Sequence, residues 1–194
     1  MQRILCVRYG GPMTEIRLDA KTLRALAHPL RIRLLGLLRA DGPATATGLA
    51  QRVGETSGTT SWHLRQLADH GLIEQDEERG NKRERWWKAA YESTELRIED
   101  FRDDEDSAGA LNAYLYEIAS SSYRRMTTFL GQDWEQSWRE SFVMSDQELP
   151  LTPAELKAMR DELHEVIDKY RRPERPGDEI VVTQLQGFPR KTQR

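Results

Sequence analysis

Cysteine is almost absent from this chain: Cys6 is the only one in 194 residues. A single thiol excludes an intrachain disulfide, a cysteine-cluster zinc site and paired-thiolate sensing of soft metals. It also fits a reducing compartment. Long apolar runs are lacking too. No stretch approaches the roughly 18 apolar residues of a membrane span, and the N-terminus has no long apolar region of a secretory signal. A cytoplasmic protein without a membrane partner is therefore expected. Catalytic signatures are missing as well. His164-Glu165-Val166-Ile167-Asp168 begins like a zinc-protease helix but has aspartate where the second histidine must stand. In Gly54-Glu55-Thr56-Ser57-Gly58 the serine comes one residue late for a nucleophile elbow. With no glycine-rich phosphate loop either, no enzyme, no cofactor and no metal site is expected.

The charge present is unevenly spread. The net charge is -3. From Asp19 to Tyr91, 12 Lys or Arg stand against 9 Asp or Glu, whereas residues 92–194 carry 14 against 22. A neutral-to-basic module followed by an acidic one is compatible with phosphate affinity confined to one face. Two ordinary solvated surfaces account for the numbers nearly as well.

Local signals divide the chain into elements. Thr14 to Leu18 reads as a strand, with Met13 before it as an alternative start. Asp19 is an N-cap for a short helix carrying Leu23 and Leu26, and Pro29 suits the first turn of a second helix with Leu30, Leu34, Leu37 and Leu38 at helical spacing. Ala46, Leu49, Ala50 and Val53 describe a third helix stopped by Gly54. Within a few residues a fourth begins, with Thr60, Leu64, Leu67 and Ala68 inward, and Gly71 ends it. Two short helices across a tight turn make a helix-turn-helix. Leu72-Ile73-Glu74 and Glu84 to Lys88 flank a charged loop around Gly80-Asn81, the pattern of a β-hairpin. Beyond Tyr91, an acidic connector leads to a long helix from about Ser107 to Gly131, with Leu111, Leu115, Ile118, Ser122 and Phe129 on one face. Helical structure is expected to continue through Trp134 and Trp138. Thr152-Pro153-Ala154-Glu155 is a capping box opening a last helix with Leu156, Met159, Leu163, Ile167 and Tyr170 in a stripe. Phe142-Val143-Met144 and Ile180 to Leu185 read as strands able to pair.

Leu23 to Leu35, with Ala27-His28-Pro29-Leu30-Arg31 at its centre, resembles the opening of ArsR-type winged helix-turn-helix repressors. Thr59-Thr60-Ser61-Trp62-His63-Leu64-Arg65-Gln66-Leu67, followed by Gly71-Leu72-Ile73, is similar to that family's recognition helix entering its wing. The resemblance covers roughly Leu18 to Ala90. It implies a homodimer that represses by occupying duplex DNA. The metal ligands of sensing members are missing: Ala44 to Val53 has no Cys or His, and Ser107 to Gly131 has no His. The expectation is thus a mainly α fold with a small β component. It comprises an N-terminal extension or strand (1–17), a winged helix-turn-helix (18–91) and a C-terminal half (92–194) holding a dimerisation helix and a small α+β element.

For the recognition helix, the outward set is Ser57, Gly58, Thr59, Ser61, Trp62 and Arg65. Hydroxyls and a guanidinium serve bases or phosphates, and a glycine permits close approach. Trp62 is suited either to a thymine methyl or sugar edge or to packing within the protein. The hairpin tip offers Arg79, Lys82 and Arg83 for phosphates or the minor groove, against a plain solvated turn. His28 and His63 read as packing or capping residues. Met126, Phe129, Trp134 and Trp138 are candidates for a pocket binding a small hydrophobic effector, against ordinary helix packing or dimer contact. The competing function is a winged-helix protein-interaction module without DNA binding, favoured by the overall acidity and by an exposed Trp62.

Overall fold

The computed structural model describes residues 14–79, 84–101 and 105–191. The chain forms two compact units, residues 1–125 and 126–194. The fold is mainly helical with a small β component, as expected.

The first unit opens with β1 (Glu15–Arg17), then α1 (Ala20–Leu26) and α2 (Pro29–Asp41). Asp19 caps α1 in a reciprocal box: its carboxylate accepts from the Thr22 amide, and the Thr22 hydroxyl accepts from the Asp19 amide. The start of α2 follows Pro29 at its first position, with His28 as cap. β2 (Ala44–Thr45), α3 (Ala46–Val53) and α4 (Ser57–Asp69) come next. Gly54 ends α3 at φ 73°, a left-handed conformation that glycine adopts without steric cost. Gly71, at φ 67°, turns the chain from α4 into β3 (Ile73–Gln75), which pairs antiparallel with β4 (Trp86–Ala89). β2 adds to the other side of β4, giving the order β2-β4-β3. β5 (Ser93–Glu95) returns to pair in parallel with β1. A 3-10 turn (Ile98–Phe101) precedes α5 (Glu105–Leu130).

One hydrophobic cluster holds this unit. Leu23, Leu34, Leu49, Leu64, Leu67, Leu72 and Leu96 are wholly buried, each contributing about 1.5–3 kcal/mol relative to exposure. The expected stripe of α2 needs amending. Leu30, Leu34 and Leu38 are buried, but Leu37 is only half-buried while Ile32 and Leu35 are also buried. Neighbours on both sides cover this helix, so a one-sided stripe underestimates its burial. Of the adjacent tryptophans, Trp87 faces inward at 5% exposure and Trp86 is half-buried, as alternation along a strand requires. Beyond residue 91, Leu96, Phe101, Leu111 and Tyr114 belong to the same cluster as α1 to α4. The Arg39 guanidinium reinforces this closure, donating to the Tyr91 and Ser93 carbonyls at 2.9 and 3.3 Å.

The second unit holds the end of α5, α6 (Gln136–Ser141) and α7 (Pro153–Lys169). Thr152 and Glu155 form the anticipated capping box. Trp138 lies on α6, but Trp134 precedes it. The small α+β element is a correction. Phe142 to Met144 and Ile180 to Leu185 form no strands, and among the described residues this unit contains none. The cause is visible in their exposure. Val143, Met144 and Val181 are all more than 60% exposed, and β propensity expresses packing on a half-covered pleated surface rather than a backbone preference.

Leu64→Ala should lower the unfolding free energy by about 2–5 kcal/mol, while Val143→Ala should change it by no more than about 0.5 kcal/mol. Urea denaturation measures both; equal losses at the two positions would contradict the burial pattern described above.

Candidate nucleic-acid interface

The turn between α3 and α4 is built from three residues. Gly54 carries the chain out of α3, and the Glu55 amide donates to the Ala50 carbonyl at 3.0 Å. Thr56 then caps α4: its hydroxyl accepts from the Thr59 amide at 3.1 Å and lies 2.9 Å from the Thr59 hydroxyl. Thr56 was absent from the expected site. Its signal was a threonine immediately before an apolar-periodic run.

Burial divides α4 cleanly. Thr60, His63, Leu64 and Leu67 face inward. Ser57, Gly58, Thr59, Trp62 and Arg65 are exposed, with Ser61 half-buried, so the six outward positions share the side away from the core. The cap engages the Thr59 hydroxyl, which the sequence reading left free. A Cβ added at Gly58 would meet nothing nearer than the Thr56 hydroxyl at 3.9 Å. The protein's own packing therefore does not require glycine there. Trp62 is 49% exposed and also sets its indole edge-on against the His63 ring, 4.7 Å between centroids. It packs within the protein and faces solvent at once.

The hairpin leaves α4 through Gly71, with the Leu72 amide on the Leu67 carbonyl at 3.0 Å. Glu74 and Lys88 are directly opposed across β3 and β4 and form an ion pair at 3.3 Å. Arg79 lies 3.7 Å from the carboxylate of buried Asp76, with its guanidinium 6.0 Å above the Trp86 ring. Asp76 in turn donates its amide to the Trp86 carbonyl. Arg79 thus braces the hairpin as well as extending from it. Lys82 and Arg83 lie outside the described residues, as do Gly80 and Asn81.

Under α4 lies a pair of imidazoles. The Nδ1 of His28 accepts from the Leu30 amide at 3.2 Å, which caps α2 and requires that nitrogen to be unprotonated. The His63 ring is 4.4 Å from it, 6% exposed, and its buried Nδ1 finds no hydrogen-bond partner among the described residues. Both pKa values are pushed down, first by burial. The Arg31 charge adds to this for both, and His28 adds to it for His63, while Glu55 opposes it there. Arg31 itself is held by the Ala25 and Arg24 carbonyls.

In the second unit, Phe129 lies 5.8 Å from Trp134 and 5.4 Å from Phe142, ring to ring. The Trp134 indole nitrogen is buried without a partner among the described residues. Of the four pocket candidates, Phe129 and Trp134 meet. Phe142, expected in a strand, joins them. Met126 and Trp138 are half-buried, and Trp138 shares none of these ring contacts among the described residues. No group of three or more His, Cys, Asp or Glu able to hold a metal ion occurs among the described residues, and none of their helices is long and apolar enough to cross a membrane.

A family description, Helix-turn-helix domain, matches residues 26–76, from the end of α1 through β3. No curated protein matches the chain. Among solved structures, a double mutant of ZitR from Lactococcus lactis in apo form is 13% identical, over 77% of this chain and 87% of that one, at TM-score 0.31. A cysteine-to-serine mutant of MarR from E. coli is 14% identical, over 76% and 87%, at 0.31. ZitR itself, a zinc-responsive MarR family member, is 15% identical, over 86% of each chain, at 0.29. The helix-turn-helix match, joined to the winged architecture, supports a DNA-binding transcriptional regulator.

The histidine pair predicts a pH dependence of stability. Each ring's pKa lies below its ordinary value of 6.5 in the folded protein, so the unfolded chain binds more protons as the pH falls. The stabilisation is complete above about pH 6.5 and is lost toward the lower folded-state values. The Asp178 carboxylate, drawn down to about 2 chiefly by hydrogen bonding to Arg172, titrates below that window. The urea midpoint should fall between about pH 7.5 and about pH 5.5. His28→Asn keeps a capping acceptor and should shrink that fall; an unaltered profile would remove His28 as its source.

Proposed function

We propose that this protein is a sequence-specific, homodimeric DNA-binding repressor of the ArsR type, acting without a metal ion, with α4 in the major groove and the hairpin as its wing. The observation that carries this reading is the division of α4. Fully buried Thr60, Leu64 and Leu67 hold one side, leaving Ser57, Gly58, Thr59, Ser61, Trp62 and Arg65 as a continuous face of hydroxyls, open backbone, indole and guanidinium. Such a face has donors and acceptors for base edges and phosphates. Arg65 is the candidate for a bidentate guanine contact. Lys82 and Arg83, together with Arg79, which pairs with Asp76, supply phosphate contacts.

The dimer reading rests on α5. Gly109, Ala113, Tyr116, Ser120 and Tyr123 follow one another at heptad-like spacing on its outer side; all are exposed except half-buried Ser120. This row carries no charge in a chain that is 31% charged. An uncharged small-and-tyrosine row is suited to packing against its own copy around a two-fold axis. Glu117 and Arg124 beside it pair with each other.

Selection of bound duplexes from a random pool should return a palindrome whose half-sites lie one helical turn apart or a multiple of it. Arg65→Ala should cost about 1–3 kcal/mol at one base position and relax preference there. Replacing Arg79, Lys82 and Arg83 by Ala should weaken all sequences alike and lower the salt slope by about one per lost phosphate contact. Binding with neither sequence preference nor salt dependence would instead favour a protein-interaction module. Tyr116→Glu should convert the dimer to a 22.5 kDa monomer in sedimentation velocity. A variant that stays dimeric excludes this face of α5 as the interface.

A further inference from the structure

We propose that His63 is a positioning residue: its neutral ring holds the reading face of α4 in place, so that DNA binding weakens as the medium becomes acidic. The inference rests on the DNA-binding reading above and adds a regulatory input to the same helix.

The geometry is a chain of three rings. Trp62 stands exposed on the reading face, its indole edge-on to His63 at 4.7 Å. His63 is buried and lies 4.4 Å from His28. His28 in turn caps α2 through Nδ1. A proton on His63 would make both ring nitrogens donors, and its buried Nδ1 has no acceptor among the described residues. A proton on His28 at Nδ1 would abolish the cap. Either proton would therefore displace the rings from this packed arrangement and carry Trp62 with them.

The charges around His63 reinforce this. α4 packs on α1, α2, α3 and β3. From the start of α2, His28 and Arg31 oppose a positive charge on His63, and only Glu55, in the turn before α4, favours one. Elsewhere on α2, Arg33 and Arg39 are engaged with the Val53 and Tyr91 carbonyls. Lys21 and Arg24 on α1, Arg52 on α3 and Glu74 on β3 are exposed.

A new positive charge on a DNA-binding helix also attracts phosphate, which opposes this effect. His63 is 6% exposed and faces the interior, about 100° around the helix from Trp62 and covered by its indole, so a phosphate cannot hydrogen-bond its ring and gains only a longer-range attraction. The penalty for an unpaired buried charge is local and unscreened. Loss of binding therefore wins over gain.

The test measures affinity for a selected duplex, or for a random-sequence duplex if selection yields none, by fluorescence anisotropy at constant ionic strength between about pH 7.5 and about pH 5.5. Wild-type affinity should fall steadily toward the acid end of that range, while His63→Phe should hold it within about twofold. His63→Gln, a neutral polar replacement, serves if the phenylalanine variant does not fold. An equal fall in wild type and variant overturns the proposal. So does a wild-type affinity that rises in acid, which would show phosphate attraction prevailing. The emission of Trp62, taken as wild type minus Trp62→Phe, provides a readout without DNA. A change below about pH 6.5 that vanishes in the His63 variant supports the ring chain even if no duplex is bound at any pH, an outcome in which the DNA-binding reading alone fails.

Discussion

The packing of α4 against the first unit's core governs everything proposed for this molecule. Leu64 and Leu67 are wholly buried, Thr60 beside them, and successive helical residues are separated by about 100°. Once those three side chains are dry, the azimuth of every other residue on the helix follows. Arg65 and Trp62 point outward because the two leucines point inward. The interior has no room to rotate the helix by one residue without exposing a leucine and burying a guanidinium, and close-packed cores resist such shifts in steps rather than continuously.

Polar groups placed inside or against this core are where sensitivity concentrates. The His28–His63 pair is built to favour the neutral form, since one nitrogen is already an acceptor and another has no acceptor to offer its proton. Asp76 is buried but answered by Arg79 and by its own backbone donation to β4. Glu117 is buried on α5 and answered by Arg124. Breaking such a pair leaves a desolvated charge. The exposed pairs, such as Arg17 with Asp100, are worth about 0–1 kcal/mol and set little.

The two units are built differently. In the first, leucines from five helices meet the strands in one cluster. In the second, α7 has no fully buried residue, and Tyr170, Val181 and Phe188 are largely exposed. Its order rests on local devices: the Thr152–Glu155 box, the ring contacts of Phe129, and the Arg172 clasp on Asp178, with bonds of 2.6 and 2.8 Å.

What the sequence by itself determined is what lies within about four residues of its cause. The Asp19 and Thr152 caps, the helix starts at Pro29 and Pro153, the left-handed stops at Gly54 and Gly71, and the inward faces of α3 and α4 were legible because caps, turns and 3.6-residue periodicity are local. The outward set from Ser57 to Arg65 was legible for the same reason. Tertiary structure alone decided the parallel pairing of β1 with β5 and the Arg39 bond to the Tyr91 carbonyl, which join residues more than fifty positions apart. It also decided the meeting of His63 with His28 and the absence of strands at Phe142 to Met144 and Ile180 to Leu185. The reason is the same throughout: a strand, a buried ion pair or a ring contact exists only when a distant surface arrives to complete it, and two or three β-prone residues do not specify which surface that is.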